Sequence, residues 1–102
     1  MMNLVDAASA IVFACEENGF TDLETMQVLC FAEESGEFVG AYRRWKGLAR
    51  RTGDFNEMAK ELADVRISTQ VVAQILNIPL DRYVESKLEV IFTRGWNDRL
   101  AK

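Results

Sequence analysis

Five acidic residues in two short segments have the spacing of a metal site. The first segment holds Glu33, Glu34 and Glu37, and the second holds Glu61 and Asp64. Residues three apart project from the same side of a helix, so each segment predicts a pair of carboxylates on one face. Converging carboxylates repel one another and lose hydration, which raises their pKa values unless a cation neutralises them. A hard divalent cation is the chemistry that this pattern favours.

The absence of histidine narrows the kinds of site that the chain can build. It excludes Ser-His-Asp and Cys-His nucleophilic sites, two-His-one-carboxylate iron, Glu-x-x-His di-iron bundles and zincin helices. A metal must be held by oxygen, which favours magnesium, manganese or calcium. Magnesium suits the pattern best, because it accepts a few carboxylates, keeps waters and completes its coordination with phosphate oxygens.

An ordinary solvated helix face is the competing interpretation of each acidic pair, because such pairs are common there by chance. The stretch between Glu37 and Glu61 contains 23 residues. That length is enough to finish one helix, turn, and return antiparallel with both pairs at one level. Two pairs brought together favour a site over a solvated face.

Helical periodicity and capping signals predict four helices and no strand, repeat or linker. The first helix runs from Asn3 to Asn18, and Thr21 with Glu24 forms a capping box for a second from Asp22 to about Trp45. The apolar positions of the first helix are Leu4, Ala8, Ile11, Val12 and Cys15.

Residues 46–53 interrupt the pattern and predict a loop before the third helix. Asp54 and Glu57 have capping-box spacing, and a fourth helix is expected from Leu80 to about Thr93, closed by Gly95. The predicted seam of the third helix is Met58, Leu62, Val65, Thr69, Val72 and Leu76. The fold class is therefore all-α, a single elongated four-helix bundle-like domain over residues 1–102.

The charge and hydropathy of the chain limit the kinds of partner that it can bind. Residues 1–42 hold eight acidic and no basic residues, whereas residues 43–102 hold 12 basic and 8 acidic ones. A net charge of -4 disfavours polymeric nucleic acid but permits a small phosphorylated ligand. The longest apolar run, Ala10 to Cys15, is too short for a membrane span, and the first basic residue is Arg43, so we expect no signal peptide and a cytoplasmic location. Cys15 and Cys30 are expected to be reduced.

The acidic segments resemble the Glu-x-x-Glu and Glu-x-x-Asp signature of the MazG-like all-α nucleoside triphosphate pyrophosphohydrolases. The likeness rests on residues 33–37 (EESGE) and 61–65 (ELADV), and extends to Lys87-Leu88 and Arg94-Gly95-Trp96. It implies the MazG fold and hydrolysis of a nucleoside triphosphate to the monophosphate and pyrophosphate, in nucleotide-pool house-cleaning. Arg66 departs from the family pattern, which usually has an apolar residue there.

The resemblance also implies roles for individual residues. The metal ligands would be Glu34, Glu37, Glu61 and Asp64, holding Mg²⁺ with Mn²⁺ as an alternative. Glu33 would be a further ligand or the catalytic residue that orients the attacking water. Lys87 and Arg94 would contact substrate phosphates, although cations near a helix end are also ordinary surface charge.

Trp45 lies two helical turns beyond Glu37, where it could stack on a nucleobase or pack in the core. Around it, residues 43–51 contain a dense basic cluster that predicts a solvated loop, a subunit contact or a segment that closes over substrate. The cluster consists of Arg43, Arg44, Lys46, Arg50 and Arg51.

Apolar residues on several sides of the second helix predict self-association to a dimer or tetramer, since a monomer would leave them in water. They include Val28, Leu29, Phe31, Phe38, Val39 and Tyr42. The alternative to an enzyme is a non-catalytic helical module that binds a nucleotide or a protein through the same bundle.

Overall fold

Four helices make up the protein in a computed structural model that describes residues 2–19 and 21–94. They are α1 Leu4–Glu17, α2 Leu23–Lys46, α3 Phe55–Ile75 and α4 Leu80–Arg94. No residue of the described ranges lies in a strand, so the all-α prediction is confirmed. None of these four helices is long and apolar enough to cross a bilayer. The expected helix stop at Gly95, like Trp96 of the resemblance, lies outside the described residues.

Side-chain caps fix α1 where the sequence predicts it. The Asn3 side chain accepts a hydrogen bond from the Asp6 backbone N–H at 2.8 Å, which satisfies a free donor of the first turn. At the other end Asn18 Nδ2 donates to the Ala14 carbonyl at 2.7 Å, and Gly19 follows with φ +75°. Polar caps at both ends therefore define the helix.

The capping box predicted for α2 is wrong. The residue before the helix is Asp22, which has a left-handed φ of 51° and makes no capping hydrogen bond through its side chain. With Asp22 in that position, Thr21 is one residue too far away, and Glu24 is no longer the third residue after the cap. A shift of one residue therefore removes both halves of the reciprocal pair.

The turn between α2 and α3 is defined by a glycine and an aspartate. Gly47 takes a left-handed φ of 78°, and the next N–H, of Leu48, donates to the Arg43 carbonyl at 2.8 Å, which closes α2. At the start of α3, Asp54 Oδ1 accepts from the Glu57 N–H at 2.7 Å, which confirms the predicted N-terminus.

The predicted seam of α3 is only partly right. Met58, Val65, Thr69 and Val72 are half-buried, but Leu62 is 52 % exposed and Leu76 is also exposed. The helix packs against α2 and also against α1, so its buried surface is broader than one seam. Glu61, which the predicted seam leaves out, is half-buried and lies close to Glu34 of α2.

The core of the described chain is made of small side chains. Its buried apolar residues are Ala8, Ala41, Val71 and Ala73, and no large side chain in the described ranges is fully buried. A bond from Gln74 Nε2 to Ser9 Oγ at 2.7 Å joins α3 to α1. Small residues let the helices approach closely, but they bury little apolar surface.

Helix α4 stands apart from the other three helices, with which it has little contact. All of its residues except Leu80 and Ile91 are exposed, including Phe92 at 71 %. The radius of gyration is 16.9 Å, against about 13 Å for a compact domain of this length. The extents of 48 × 43 × 29 Å show an open chain that is not elongated along one axis, and within a single chain only α1, α2 and α3 pack together.

Candidate metal centre

Helices α2 and α3 form an antiparallel pair that brings the two acidic segments together. Near the connecting loop Arg44 contacts Glu57, and further from it Glu34 lies close to Asp64. Residue numbers therefore rise along α3 as they fall along α2. This register follows from a short loop between two capped helices, as the spacing of the acidic pairs predicts.

Three carboxylates meet at the centre of this helix pair. One oxygen from each of Glu34, Glu61 and Asp64 lies within 4.8 Å of the other two. Glu34 and Glu61 are half-buried, whereas Asp64 is exposed. The structure thus brings together three of the four predicted metal ligands, one from α2 and two from α3.

The other two predicted acidic residues line an adjoining groove. Glu33 and Glu37, together with Glu61, form its wall, and its volume is about 470 Å³. Glu61 therefore belongs both to the carboxylate cluster and to the groove. Glu34 and Asp64 do not line the groove, so Glu61 is the residue that links it to the carboxylate cluster.

Burial and mutual repulsion raise the pKa of Glu34. Loss of hydration is the largest cause, followed by the negative charges of Glu37, Asp64, Glu61 and Glu33. Glu34 Oε2 and Glu61 Oε2 are also buried without a hydrogen-bond partner among the described residues. Unpaired buried oxygens that carry like charge are what a cation satisfies, so the residues present fit a hard divalent metal.

The same negative field acts on a neighbouring thiol. Burial, followed by the charges of Glu34, Glu33 and Glu37, raises the pKa of Cys30. The thiolate is the reactive form of cysteine, and a raised pKa leaves less of the Cys30 thiol in that form. Cys15 and Cys30 are not joined by a disulfide in the structure.

Two glycines of α2 line the groove. Gly36 and Gly40 are one helical turn apart, and each costs about 1 kcal/mol of helix stability relative to alanine. A Cβ on Gly36 would meet nothing within 4 Å, and one on Gly40 would meet only Arg44 Nη1 at 3.5 Å, an ordinary contact. Packing within the chain therefore does not require glycine at either position.

Arg44 is a groove residue that the sequence pattern alone does not single out. Its neighbours in the basic cluster, Arg43, Lys46, Arg50 and Arg51, are exposed, whereas Arg44 is half-buried and lines the groove. The available signal is its position on α2, one turn after Gly40 and two turns after Glu37. That signal can be recognised only once the face of α2 that meets α3 is known.

The predicted phosphate contacts Lys87 and Arg94 lie elsewhere in the single chain. Both are exposed on α4, and neither lines the groove. The structure therefore does not bring them together with the carboxylates of their own chain, and their role stays a prediction.

Trp45 packs against other aromatic rings. Its ring meets Phe55 edge to face at a centroid distance of 5.8 Å and Tyr42 at 6.1 Å, and Lys46 Nζ lies 5.5 Å from its centroid. The ring is 40 % exposed and does not line the groove. Packing between α2 and α3 is thus its observed role, and stacking on a base stays a prediction.

Comparison with known proteins adds no relative: no family model, curated protein or solved structure matches this chain. The case for a function therefore depends on the groove and its residues.

Proposed function

We propose that this protein is a magnesium-dependent hydrolase that converts nucleoside triphosphates to nucleoside monophosphates and pyrophosphate. The meeting of Glu34, Glu61 and Asp64 beside a groove lined by Glu33 and Glu37 is the observation that supports it most strongly. The order and spacing of these five residues resemble those of the MazG-like enzymes. Removal of unwanted nucleotides from the cellular pool is the role that this activity would serve.

In this proposal the metal ligands are Glu34, Glu37, Glu61 and Asp64, and the cation is Mg²⁺ or Mn²⁺. The two buried oxygens without partners, on Glu34 and Glu61, are the strongest reason to place a cation there. When bound, the cation would offset the negative charge of the triphosphate and lower the pKa of a coordinated water.

Glu33 is the proposed catalytic residue. It is exposed on the groove wall, one residue from Glu34, where a carboxylate can orient water and accept its proton. The water oxygen forms a bond to the α-phosphorus, and the bond from that phosphorus to the oxygen bridging the α- and β-phosphates breaks. Pyrophosphate leaves with the bridging oxygen, and the proton passes to the Glu33 carboxylate.

We also propose that the active form is a homodimer or homotetramer. Every described residue of α4 is exposed or half-buried, and no large side chain of the described ranges is fully buried. A second copy would remove these apolar side chains from water. Because α4 lies away from the groove of its own chain, a phosphate-binding role for Lys87 and Arg94 requires α4 to meet the groove of another copy.

The proposed activity is tested by measuring pyrophosphate release from a panel of ribo- and deoxyribonucleoside triphosphates, including damaged bases. Each reaction is run with Mg²⁺, with Mn²⁺ and with a chelator, and the nucleotide product is identified. We expect metal-dependent release of pyrophosphate with a monophosphate as the second product. Release of inorganic phosphate and a diphosphate would contradict attack at the α-phosphorus.

The variant Glu61→Gln tests the residue assignment. Loss of a metal ligand should lower turnover on the order of 100-fold or more while the helical circular dichroism signal is retained. Glu24→Gln is the matched control, because Glu24 is an exposed acidic residue in the first turn of α2 and does not line the groove. Full activity in Glu61→Gln would defeat the assignment, and a folded wild type that binds nucleotide without turnover would favour the non-catalytic module.

A further inference from the structure

The groove beside the carboxylates has a second, basic end. Beyond Glu37 its lining continues along α2 through Gly40 to Arg44. Glu37 and Arg44 are seven residues apart, which is about 10.5 Å along a helix axis. Long side chains on a helix lean towards its N-terminus, so the Arg44 guanidinium returns over Gly40 towards the carboxylates.

The Arg44 guanidinium is held in place from one side only. Its Nε and Nη2 both donate to Glu57 Oε1, at 3.0 and 2.6 Å. Nη1 lies 3.5 Å from where a Cβ on Gly40 would be, and it donates to no acceptor among the described residues. The side chain is 23 % exposed and lines the groove, so the guanidinium is fixed by Glu57 while Arg44 keeps a surface on the groove.

The support behind Arg44 is itself tightly built. Glu57 follows the Asp54 cap at the start of α3, and the Gly53 N–H donates to the Arg44 carbonyl at 3.3 Å. A Cβ on Gly53 would lie 2.7 Å from Glu57 Oε2 and 3.2 Å from the Arg44 Cβ, so a side chain at this position would displace the Glu57 carboxylate from its present place. The loop thus fixes the ion pair against α2.

Helix packing within the chain does not explain the two glycines that line the groove. Neither Gly36 nor Gly40 has a close neighbour from another helix, and neither has a positive φ. Their missing side chains leave the α2 backbone open to whatever lies in the groove. The lining is charged, with carboxylates at one end and a guanidinium at the other, which suits an anion that carries divalent cations and excludes an apolar helix.

We propose that Arg44 binds the polyphosphate end of the substrate through Nη1, and that Gly36 and Gly40 leave room for that chain along α2. This assignment rests on the proposed function, because a triphosphate supplies both the metal-bound and the free phosphate groups. It orients the substrate: the α-phosphate lies at the carboxylates, and the departing pyrophosphate points towards the α2–α3 loop. Glu57 is a positioning residue that directs the guanidinium.

The test uses magnesium pyrophosphate as the probe, because its binding can be measured by calorimetry without turnover. Arg44→Gln should weaken this binding about 10-fold or more, the usual loss for a charge-assisted hydrogen bond. Affinity for Mg²⁺ alone should change less than about twofold, since Arg44 is not a ligand. Arg43→Gln removes the same charge from an adjacent residue outside the groove, and should leave pyrophosphate binding within about twofold.

Gly36→Ala gives a second test that does not disturb the Arg44 ion pair. Its methyl group meets nothing in the chain, so the melting temperature should be unchanged or higher, whereas pyrophosphate binding should weaken about threefold or more. The proposal is overturned if Arg44→Gln binds magnesium pyrophosphate as well as Arg43→Gln does, or if the wild type does not bind it. A wild type that binds the probe through Arg44 and hydrolyses no triphosphate would refute the proposed function and leave this contact standing.

Discussion

The α2–α3 groove and helix α4 are both incomplete in a single chain, in opposite ways. The carboxylate cluster at the groove has buried oxygens without hydrogen-bond partners among the described residues, on Glu34 and Glu61, whereas α4 has exposed apolar side chains such as Leu88 and Phe92. Buried like charges are satisfied by a cation or a small polar ligand, and exposed apolar rows by another protein surface. The two regions therefore call for different kinds of partner, and the following predictions separate them.

The largest effect is expected from Leu88→Asp on α4. Leu88 is 45 % exposed in the chain, and if α4 is an interface its replacement by a charge should dissociate the assembly. Light scattering at micromolar concentration should show a wild-type dimer or tetramer and a Leu88→Asp monomer. Glu61→Gln in the groove should leave the mass unchanged. A wild-type monomer would refute self-association.

A smaller effect is expected from Glu34→Gln, through the pH dependence of stability. The pKa of Glu34 is raised above its ordinary value of 4.5, chiefly by burial, so the folded protein binds more protons than the unfolded chain as pH rises above that value. In metal-free protein, the contribution of Glu34 to the free energy of unfolding therefore falls as pH rises from about the unfolded-state pKa to the raised folded-state pKa. Above the raised pKa this destabilisation is complete.

We expect metal-free Glu34→Gln to melt at a higher temperature than the wild type at pH 7.5, with the difference shrinking towards pH 4.5. Added Mg²⁺ should raise the wild-type melting temperature and have a weaker effect on the variant. Glu24→Gln is the control from the exposed first turn of α2. If the melting temperatures of Glu34→Gln and the wild type change identically with pH, folding does not raise the pKa of this carboxylate.

The smallest effect is expected from Ser68→Ala on the buried surface of α3. Ser68 is 7 % exposed, and its hydroxyl has no partner among the described residues, which costs stability. Its removal should raise the free energy of unfolding in urea by about 0.5–1 kcal/mol. Thr69→Val removes a hydroxyl that donates to the Val65 carbonyl at 2.7 Å, so that variant should gain nothing. Equal effects of the two substitutions would contradict this explanation.

Much of the fold is predictable from the sequence because helix ends depend on nearby residues. At Asn3 and at Asp54 the side chain accepts a hydrogen bond from the backbone N–H three residues later, so each cap depends only on residues close in the sequence. The cap at Thr21 fails because one backbone angle, the left-handed φ of Asp22, moves the helix start by a residue. Sequence patterns do not report such a choice when two neighbouring residues can both precede a helix.

Packing is less predictable, because it depends on which helices meet. The pattern on α3 favours Leu62 for the core, but packing against both α1 and α2 leaves Leu62 exposed and brings Glu61 inside. The separation of α4 is unpredictable for the same reason. Apolar residues at helical spacing predict that α4 packs on some surface, but they do not say which surface.

The sequence predicts the carboxylates of the candidate site, but it does not predict that Arg44 lines the groove beside them. Residues three apart on two adjacent helices converge wherever the loop returns the chain, so Glu34, Glu61 and Asp64 meet. Arg44 escapes prediction because its neighbours Arg43 and Lys46 have the same charge. Its burial, its place in the groove and its contact with Glu57 distinguish it from them, and all three depend on the folded structure.

The pairing of α2 with α3 also has a consequence for synthesis of the chain. The two helices are adjacent in sequence and joined by a short turn, so their contacts require little loop closure and should form rapidly. On a ribosome this hairpin would emerge before α4 does, with its carboxylates already opposite one another. The carboxylate cluster is therefore expected to assemble during synthesis without any contribution from α4.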